Sequence, residues 1–430
     1  MQWLKEIPSH WEIEPFGRHF SYGKGLPITK ADLTPEGVAV ISYGQVHSKL
    51  NTGSSISRDL VRYVSSVYLE SHPQCLLVKG DFVFADTSED IEGSGNFAFN
   101  DFAEKIFAGY HTVVVRPKDL SFPRYYAYLF QSLNWKGQIQ SLVNGVKVYS
   151  INKGHLKKTY LLIPPLAEQE QIVSYLEDKT SKIDAYVADK EKEILLLQEL
   201  KQKTIADAIT KGLNPDVKTK DSGISWIGEI PEHWEVKRVG SFLRERKEKY
   251  NGDNTLGILS LLKGLGIIPY EEKGNIGNKA KEDLSTYKIA RKGDVVVNCM
   301  NVIIGSSGIT DYDGYISPAY YSFIPVDRMM AIIYKHWLSL PQMQGAIRCM
   351  AKGILEIRLR VSSQQLLSMK IPFPPLDEQR AIVSYIEEKC QKIDSLTTEL
   401  QSEIDYLKEY KQRLIADCVT GQVNVQKEVT

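Results

Sequence analysis

Two stretches of the chain, Leu166 to about Lys211 and Leu376 to about Thr420, contain neither proline nor glycine and repeat their apolar residues at heptad-like spacing. That pattern predicts two helices of roughly 45 residues, rods on the order of 65 Å long at 1.5 Å per residue. One register through the second stretch reads Ile382, Ile386, Lys389, Ile393, Leu396, Leu400, Ile404, Leu407, Lys411, Leu414 and Cys418. The first stretch gives Ile172, Leu176, Lys179, Ile183, Tyr186, Lys190, Ile194, Leu197, Lys201, Thr204 and Ala208, with a four-plus-four stutter at Lys190 to Ile194 matched at Leu400 to Ile404. Prolines before each start, acidic residues in each first turn (Glu168 and Glu170; Asp377 and Glu378) and Gly212 or Gly421 after each end bound the helices. A rod with one apolar stripe must bury it, and the other rod is the obvious partner.

The two stretches are copies. Ile163-Pro164-Pro165-Leu166-Ala167-Glu168-Gln169 answers Phe373-Pro374-Pro375-Leu376-Asp377-Glu378-Gln379, and the alignment holds without a gap to Ile205-Ala206-Asp207 and Ile415-Ala416-Asp417, a constant offset of 210 (382 − 172 = 210). A second pair opens each copy: Trp3 with Ile7-Pro8-Ser9-His10-Trp11-Glu12, and Trp226 with Ile230-Pro231-Glu232-His233-Trp234-Glu235, offset by 223 (226 − 3 = 223). Two equivalent halves about a pseudo-twofold axis place the helices antiparallel, and the second helix then ends near the N-terminus.

Between these motifs the pattern changes to short apolar runs divided by Gly- and Asn-rich turns. Val38 to Ser42, Asp81 to Phe84, Thr112 to Val115 and Asp294 to Val297 read as strands; Arg124 to Leu133 and Met329 to Leu338 read as aromatic-rich helices whose rings belong to the core. Only isolated matches survive here, such as Lys79-Gly80-Asp81 with Lys292-Gly293-Asp294 and Gly145 with Gly353. The fold class is therefore α+β: two mixed α/β domains held apart by two long antiparallel coiled-coil helices. The segments are 1–160 (first variable domain), 161–213 (first helical region), 214–235 (linker and opener), 236–370 (second variable domain), 371–421 (second helical region) and 422–430 (tail). Helix–helix packing is assigned to Ile172, Leu176, Ile183, Ile194, Leu197, Ile382, Ile386, Ile393, Leu400, Ile404 and Leu407.

Composition narrows the function. With 430 residues, 43% hydrophobic and 25% charged, the chain reads as an ordinary globular protein, and with neither a membrane-length apolar run nor a basic-then-apolar leader it reads as cytoplasmic. Its five cysteines lack Cys-x-x-Cys spacing, and no His-Glu-x-x-His motif occurs, so a metal site is not expected; Cys390 and Cys418 fill the helix positions of Thr180 and Ala208. The 53 basic and 53 acidic residues cancel, which argues against a phosphate-driven partner until their distribution is considered. Lys147, Lys153, Lys157 and Lys158 close the first variable segment, and Arg348, Lys352, Arg358 and Arg360 the second. Polar residues follow the strands at Tyr43, Gln45, His47, Thr87, Ser88, Asn298 and Asn301, where Asn and Gln side chains suit adenine edges and Arg suits guanine. The candidate DNA-binding set is these seven with Lys147, Lys153, Arg358 and Arg360.

Catalytic signals are weak. Pro215-Asp216 with Glu235-Val236-Lys237 formally fits a metal-dependent nuclease pattern, but the other copy reads Glu12-Ile13-Glu14. Gly17 to Gly23-Lys24 has the wrong spacing for a phosphate loop, Gly93-Ser94-Gly95 alone is no nucleotide fingerprint, and no Asn/Asp-Pro-Pro-Tyr/Phe methyltransferase motif is present. His10 and His233 read as packing residues. No catalytic residue is assigned.

The paired Pro-Pro-Leu-x-Glu-Gln-x-x-Ile motifs, the Ile-Pro-x-His-Trp-Glu openers and the two unlike domains resemble the specificity subunit of a type I restriction-modification system, over essentially the whole chain. The resemblance implies that each variable domain is a target recognition domain for half of a split double-stranded DNA sequence and that the helices set the spacing. It implies two methyltransferase subunits contacting the region of Leu166, Glu168, Gln169, Leu376, Glu378 and Gln379, and two restriction-translocase subunits. No cofactor is then bound by this chain; S-adenosylmethionine, ATP and Mg belong to the partners. A coiled-coil scaffold that binds no DNA and a single-chain DNA-modifying enzyme remain the alternatives.

Overall fold

The computed structural model describes residues 6–118, 122–145, 148–250, 252, 255–276, 279–281, 283–351 and 359–425. Trp3, Lys147, Lys352, Gly353 and Arg358 lie outside the described residues. The chain divides into two compact units, Met1–Glu191 with Gln401–Thr430, and Lys192–Leu400. Each unit thus holds one variable domain, the first half of the long helix that follows it and the second half of the other.

In unit 1 the opener strand Glu12–Pro15 pairs antiparallel with Tyr160–Ile163, the strand leading into the first long helix, in the register Glu12 to Ile163. Unit 2 repeats this with Glu235–Arg238 on Lys370–Phe373, Glu235 opposite Phe373. The opener is thereby fastened to the proline motif in both copies. His10 Nε2 and Glu168 Oε2 lie 2.8 Å apart, and His233 bonds Glu378 in the same way. Both imidazoles are exposed, which corrects their reading as packing residues. The neighbouring Trp11 and Trp234 do the packing, and a carboxylate in the first turn of a helix is a ready partner. Gln169 and Gln379 are buried and donate to the carbonyls of Pro164 and Pro374, each at 2.9 Å.

The variable domains share more than their sequences show. Unit 1 has a four-stranded antiparallel sheet ordered Phe20–Lys24, Thr112–Pro117, Phe82–Ala85, Phe97–Phe99; unit 2 has the same order with Leu243–Glu245, Tyr320–Pro325, Val295–Asn298, Ser307–Ile309. Behind it, unit 1 carries a five-stranded sheet in which Val38–Ile41 runs parallel to Ile106–Ala108. Unit 2 keeps a remnant, the Leu259–Leu262 and Gly266–Pro269 hairpin, whose preceding residue Ile258 bridges Tyr315 in parallel. Lys-Gly-Asp is the turn before the central strand: Gly80 and Gly293 take φ of +99° and +90°, and buried Asp81 and Asp294 accept from the backbone N–H of Val78 and Arg291. The aromatic-rich helices, Pro123–Gln131 and Arg328–Ser339, bury Tyr125, Tyr126, Tyr128 and Phe130 in one case and Tyr334 and Trp337 in the other.

The long helices span Leu166–Lys211 (46 residues) and Leu376–Val419 (44 residues). Within unit 1 they are antiparallel: Asp184 pairs with Lys411 at 2.6 Å and Lys190 with Glu403 at 2.7 Å, one series rising as the other falls. In unit 2 Lys201 pairs with Asp394 at 2.6 Å, the duplicate of the first ion pair. The second helix ends beside the opener, where Gln422 Nε2 donates to the Glu6 carbonyl at 2.6 Å. The seam departs from the expected register. Tyr186 and Leu396 are 51% and 48% exposed, and Lys179 and Lys389 are exposed, whereas Thr180, Val187, Cys390 and Thr397 turn inward. The seam therefore runs 172, 176, 180, 183, 187, 190, 194, and the four-plus-four step lies at Ile172–Leu176–Thr180, two heptads earlier than expected. Tyr and Leu at 186 and 396 mimic seam residues because hydrophobicity alone cannot separate positions three and four apart. No helix among the described residues is long and apolar enough to cross a membrane.

Candidate nucleic-acid interface

In unit 1 the candidate residues converge because two strands end at the same place. Ser42 follows Val38–Ile41 and closes a capping box, its N–H donating to Gln45 Oε1 at 3.0 Å, so the short turn Tyr43–Val46 starts there. The buried strand Phe82–Ala85 ends at Asp86, whose N–H donates to His111 O (3.1 Å) and whose carbonyl accepts from Ile151 (2.7 Å). Thr87–Ser88 then pairs with Tyr149–Ser150. Between these walls lies a cleft lined by Tyr43, His47, Thr87, Ser88, Glu89, Asp90, Glu92, Asn96, His111 and Val148.

Hydrogen bonds define the His47 tautomer. Lys136 Nζ, which only donates, reaches Asn96 Oδ1 at 2.8 Å; Asn96 Nδ2 therefore donates to His47 Nδ1 at 3.1 Å. The proton of the neutral ring sits on Nε2, which donates to the Thr87 carbonyl at 2.7 Å. His47 holds the two walls together, and burial pulls the Lys136 pKa below its ordinary value. Tyr43 packs edge-on against His47, Tyr110 and His111, and His111 adopts φ of +54°, the sole positive φ of a non-glycine among the described residues. Among the described residues, three carboxylates and no lysine or arginine line this cleft.

Unit 2 builds the same cleft from different chemistry. Cys299, after Val295–Asn298, donates to Ala319 O (2.9 Å) and accepts from Val361 (3.1 Å), the same two bonds that Asp86 makes. Asn298 Oδ1 accepts from the N–H of Met300 (3.1 Å) and Asn301 (3.4 Å), an Asx turn that leaves Asn301 exposed. The cleft is lined by Asn298, Asn301, Ser260, Ser306, Tyr270, Tyr320, Lys263, Lys273 and Lys279 among others, with no carboxylate among the described residues. Lys273 is buried, its Nζ 4.5 Å from the Tyr270 ring centroid.

The sequence-predicted residues thus divide. Tyr43, His47, Thr87 and Ser88 meet in one cleft, and Asn298 and Asn301 in the other. Gln45 is engaged in its cap, while Lys153, at the start of an Asn152-capped helical turn, and Arg360 are exposed outside the cleft linings. Glu89, Asp90, Glu92, His111 and the three lysines escaped the sequence reading; their signal is position after a strand or in a turn, which many loops share. Of the Pro-Pro-Leu-x-Glu-Gln residues, Leu166 and Leu376 are exposed, while Glu168, Gln169, Glu378 and Gln379 serve internal bonds. Further along, Tyr186, Tyr406 and Tyr410 in unit 1 and their duplicates Leu396, Leu196 and Leu200 in unit 2 are all at least 48% exposed, one apolar patch per unit. The nuclease-like set is not assembled: Glu235 pairs with Lys237, whose Nζ lies 4.0 Å over the Phe373 ring, and no metal-holding group of His, Cys, Asp or Glu occurs among the described residues.

Comparison with known proteins gives the family from the sequence and the fold from solved structures. The model of the type I restriction modification DNA specificity domain matches twice, at residues 20–196 and 231–406. The MjaVIII type I restriction enzyme specificity subunit of Methanocaldococcus jannaschii is 27% identical, covering 70% of this chain and 70% of its own length. The EcoKI specificity subunit of Escherichia coli K12 is 20% identical across 98% of this chain and 91% of its own. A chain from a structural study of type I R-M complex assembly and conformational transition superposes with a TM-score of 0.70 at 18% identity, over 97% of this chain and 100% of that one. The HsdS subunit of Thermoanaerobacter tengcongensis gives a TM-score of 0.52 at 18% identity, over 97% and 99%.

Proposed function

The chain belongs to the type I restriction modification DNA specificity family, and from that premise we propose that it reads a split, asymmetric DNA sequence, one half through each cleft, for partner subunits that methylate adenine or cut. The observation that carries this reading is the pair of clefts at equivalent places on one duplicated scaffold with opposite charge. Identical clefts would favour a palindrome; unlike clefts favour two unrelated half-sites. A continuous helix of 46 residues extends about 69 Å, roughly two turns of duplex, which suits a ruler for the gap.

The assembly follows the same duplication. Two equivalent sets of exposed apolar residues on the helices suit two copies of one partner, the methyltransferase subunit. Two restriction-translocase subunits would complete the complex. S-adenosylmethionine, ATP and Mg are assigned to those partners. The formal net charge of zero is then compatible with DNA binding, since partner subunits supply part of the phosphate contacts.

The test is domain exchange. Residues 13–160 are replaced by the first variable domain of another family member, and methyladenine is mapped genome-wide in cells carrying the methyltransferase subunit. One half-site changes while the other half and the gap persist. A change in both halves removes the modular reading, and a motif indifferent to the chain moves the non-DNA scaffold ahead.

A further inference from the structure

The residues that follow the central strand of unit 2 are built to present two side chains, and what those side chains suit rests on the DNA reading above. Asn301 opens a single 3-10 turn, Val302–Ile304. Backbone bonds close it: Asn301 O accepts the N–H of Ile304 and of Ser306, each at 3.0 Å, and Val302 O accepts that of Gly305 at 2.9 Å. Asn298 Oδ1 fixes the near end through the N–H groups of Met300 and Asn301. None of these bonds uses the side chain of Asn301 or Ile304.

Burial sorts the turn. Val302 and Ile303 are buried, while Asn301 and Ile304 are exposed and both line the cleft. A 3-10 turn has about three residues per revolution, so side chains three apart eclipse and these two emerge on one face. The Asn301 carboxamide makes no hydrogen bond among the described residues, and Ile304 is 40% exposed. A free amide and a bare aliphatic side chain are thus held next to each other on a fixed backbone.

The two chemistries select the same base pair. In the major groove adenine shows an acceptor, N7, beside a donor, the N6 amino group, and a carboxamide meets both at once; guanine shows two acceptors and cytosine a donor alone. Thymine alone carries a methyl group, which an aliphatic side chain can cover. The exposed Lys263 and Lys279 of the same cleft suit phosphates, which carry no sequence information, and leave the choice of base to the turn. At the equivalent place in unit 1 the chain continues from Asp86, the counterpart of Cys299, as the strand Thr87–Ser88, so the device belongs to unit 2 and not to the scaffold.

We propose that unit 2 reads one A·T pair through this turn, with Asn301 Nδ2 donating to N7 of the adenine, Asn301 Oδ1 accepting from its N6 amino group, and Ile304 packing on the methyl of the paired thymine. An amino group held in this way is not free to take up a methyl group. The pair is therefore a different one from that of the methylated adenine.

The half-site is identified first, by methyladenine mapping with and without exchange of residues 236–370 in cells carrying the full chain and its methyltransferase subunit. Binding of that complex is then measured on duplexes in which each thymine of the half-site is replaced in turn by uracil, which removes the methyl and nothing else. One replacement, outside the pair of the methylated adenine, weakens binding by roughly threefold to fivefold. Ile304→Ala erases that penalty, and Asn301→Ala relaxes the same pair in the mapped motif by on the order of tenfold. Both substitutions spare the bonds of the turn, and the uracil series on the unaltered complex needs no variant at all. A half-site with no A·T pair besides the methylated one overturns the proposal. So do a uracil series without effect, a penalty that survives Ile304→Ala, and an Asn301→Ala variant that relaxes another pair or weakens all sequences alike. In each of these a split motif still depends on the chain, so the DNA reading stands; a motif indifferent to the exchange of residues 236–370 removes that reading, and the proposal with it.

Discussion

Units 1 and 2 share a sheet order, a Lys-Gly-Asp turn, a histidine–glutamate clasp at the opener and a cleft closed by the same pair of backbone bonds, and they differ in what lines that cleft. Among the described residues, three carboxylates line the unit 1 cleft and three lysines the unit 2 cleft. The residues that make the framework are buried or internally bonded, so substitution there carries a folding cost. The backbone bonds that close each cleft do not depend on side chains, as Asp86 and Cys299 illustrate by making the same bonds. The chemistry of a cleft lining can change under such a frame without disturbing it.

The largest difference in stability should come from the Lys-Gly-Asp aspartates. Asp294 is 2% exposed; it takes two bonds from Arg246, one from Ser322 Oγ and one from the Arg291 N–H. Those bonds raise the Arg246 pKa above its ordinary value, with Asp294 the largest cause. Asp81 takes Arg116 Nε at 3.1 Å, yet that guanidinium also donates to the Gln74 and Leu76 carbonyls, and burial raises the Asp81 pKa. Asp294→Ala takes two bonds from Arg246, which keeps only the Glu248 carboxylate, and leaves the buried Ser322 hydroxyl and the Arg291 N–H without their acceptor, and should cost about 3–5 kcal/mol. Asp81→Ala leaves Arg116 two acceptors and should cost about 1–3 kcal/mol. Hydrogen exchange resolved over the two sheets measures both, which a single melting curve of a two-unit chain does not. Equal losses would break the contrast between the frames.

A second difference is in acid. His336, on the Arg328–Ser339 helix, has its pKa lowered from 6.5 to about 4, first by burial and then by the charges of Lys335 and Lys201. At the matching position of unit 1 stands Tyr128, whose pKa burial raises, so nothing there titrates in acid. The folded state disfavours protonated His336, whereas the unfolded chain binds that proton below about pH 6.5. Stability is therefore undiminished above pH 6.5 and declines as pH falls toward 4, by on the order of 2 kcal/mol. His336→Gln should flatten the decline in unit 2 and leave unit 1 unaltered, read from exchange rates across pH 4 to 7. A decline that survives the substitution would assign acid sensitivity elsewhere.

How much of this was legible depends on the range over which each feature is encoded. The helix bounds and the opener were readable because proline, glycine and a repeated motif act locally; the second helix ends one residue before the expected Thr420. The seam was readable to within one position, and it failed at Tyr186 and Leu396, where a large apolar residue sits beside a smaller one that turns inward. The kinship of the two sheets was hidden, since a central strand asks only for buried apolar residues, and Phe82–Ala85 and Val295–Asn298 meet that demand with different ones. The cleft was half legible. Polar residues after strands marked Thr87 and Asn298, but Lys263 and Lys273 reach the same cleft from a hairpin and a turn, and no local pattern announces that meeting.

The smallest effect tests the symmetry itself. Asp184–Lys411 and Asp394–Lys201 are the same ion pair written twice, each at 2.6 Å, with the carboxylates 56% and 61% exposed. Exposed pairs of this kind contribute about 0.2–1 kcal/mol and are screened by salt. Asp184→Asn and Asp394→Asn should therefore each cost less than about 1 kcal/mol, by equal amounts, and the cost should vanish near 1 M salt. Their surroundings give a reason to look for inequality: Lys190–Glu403 and Lys408–Glu191 flank the seam in unit 1, while the seam neighbours in unit 2 include Leu400. If Asp184→Asn costs measurably more, the helices are tuned separately in each unit, and divergence has reached the frame as well as the clefts. Equal costs confine the divergence to the clefts.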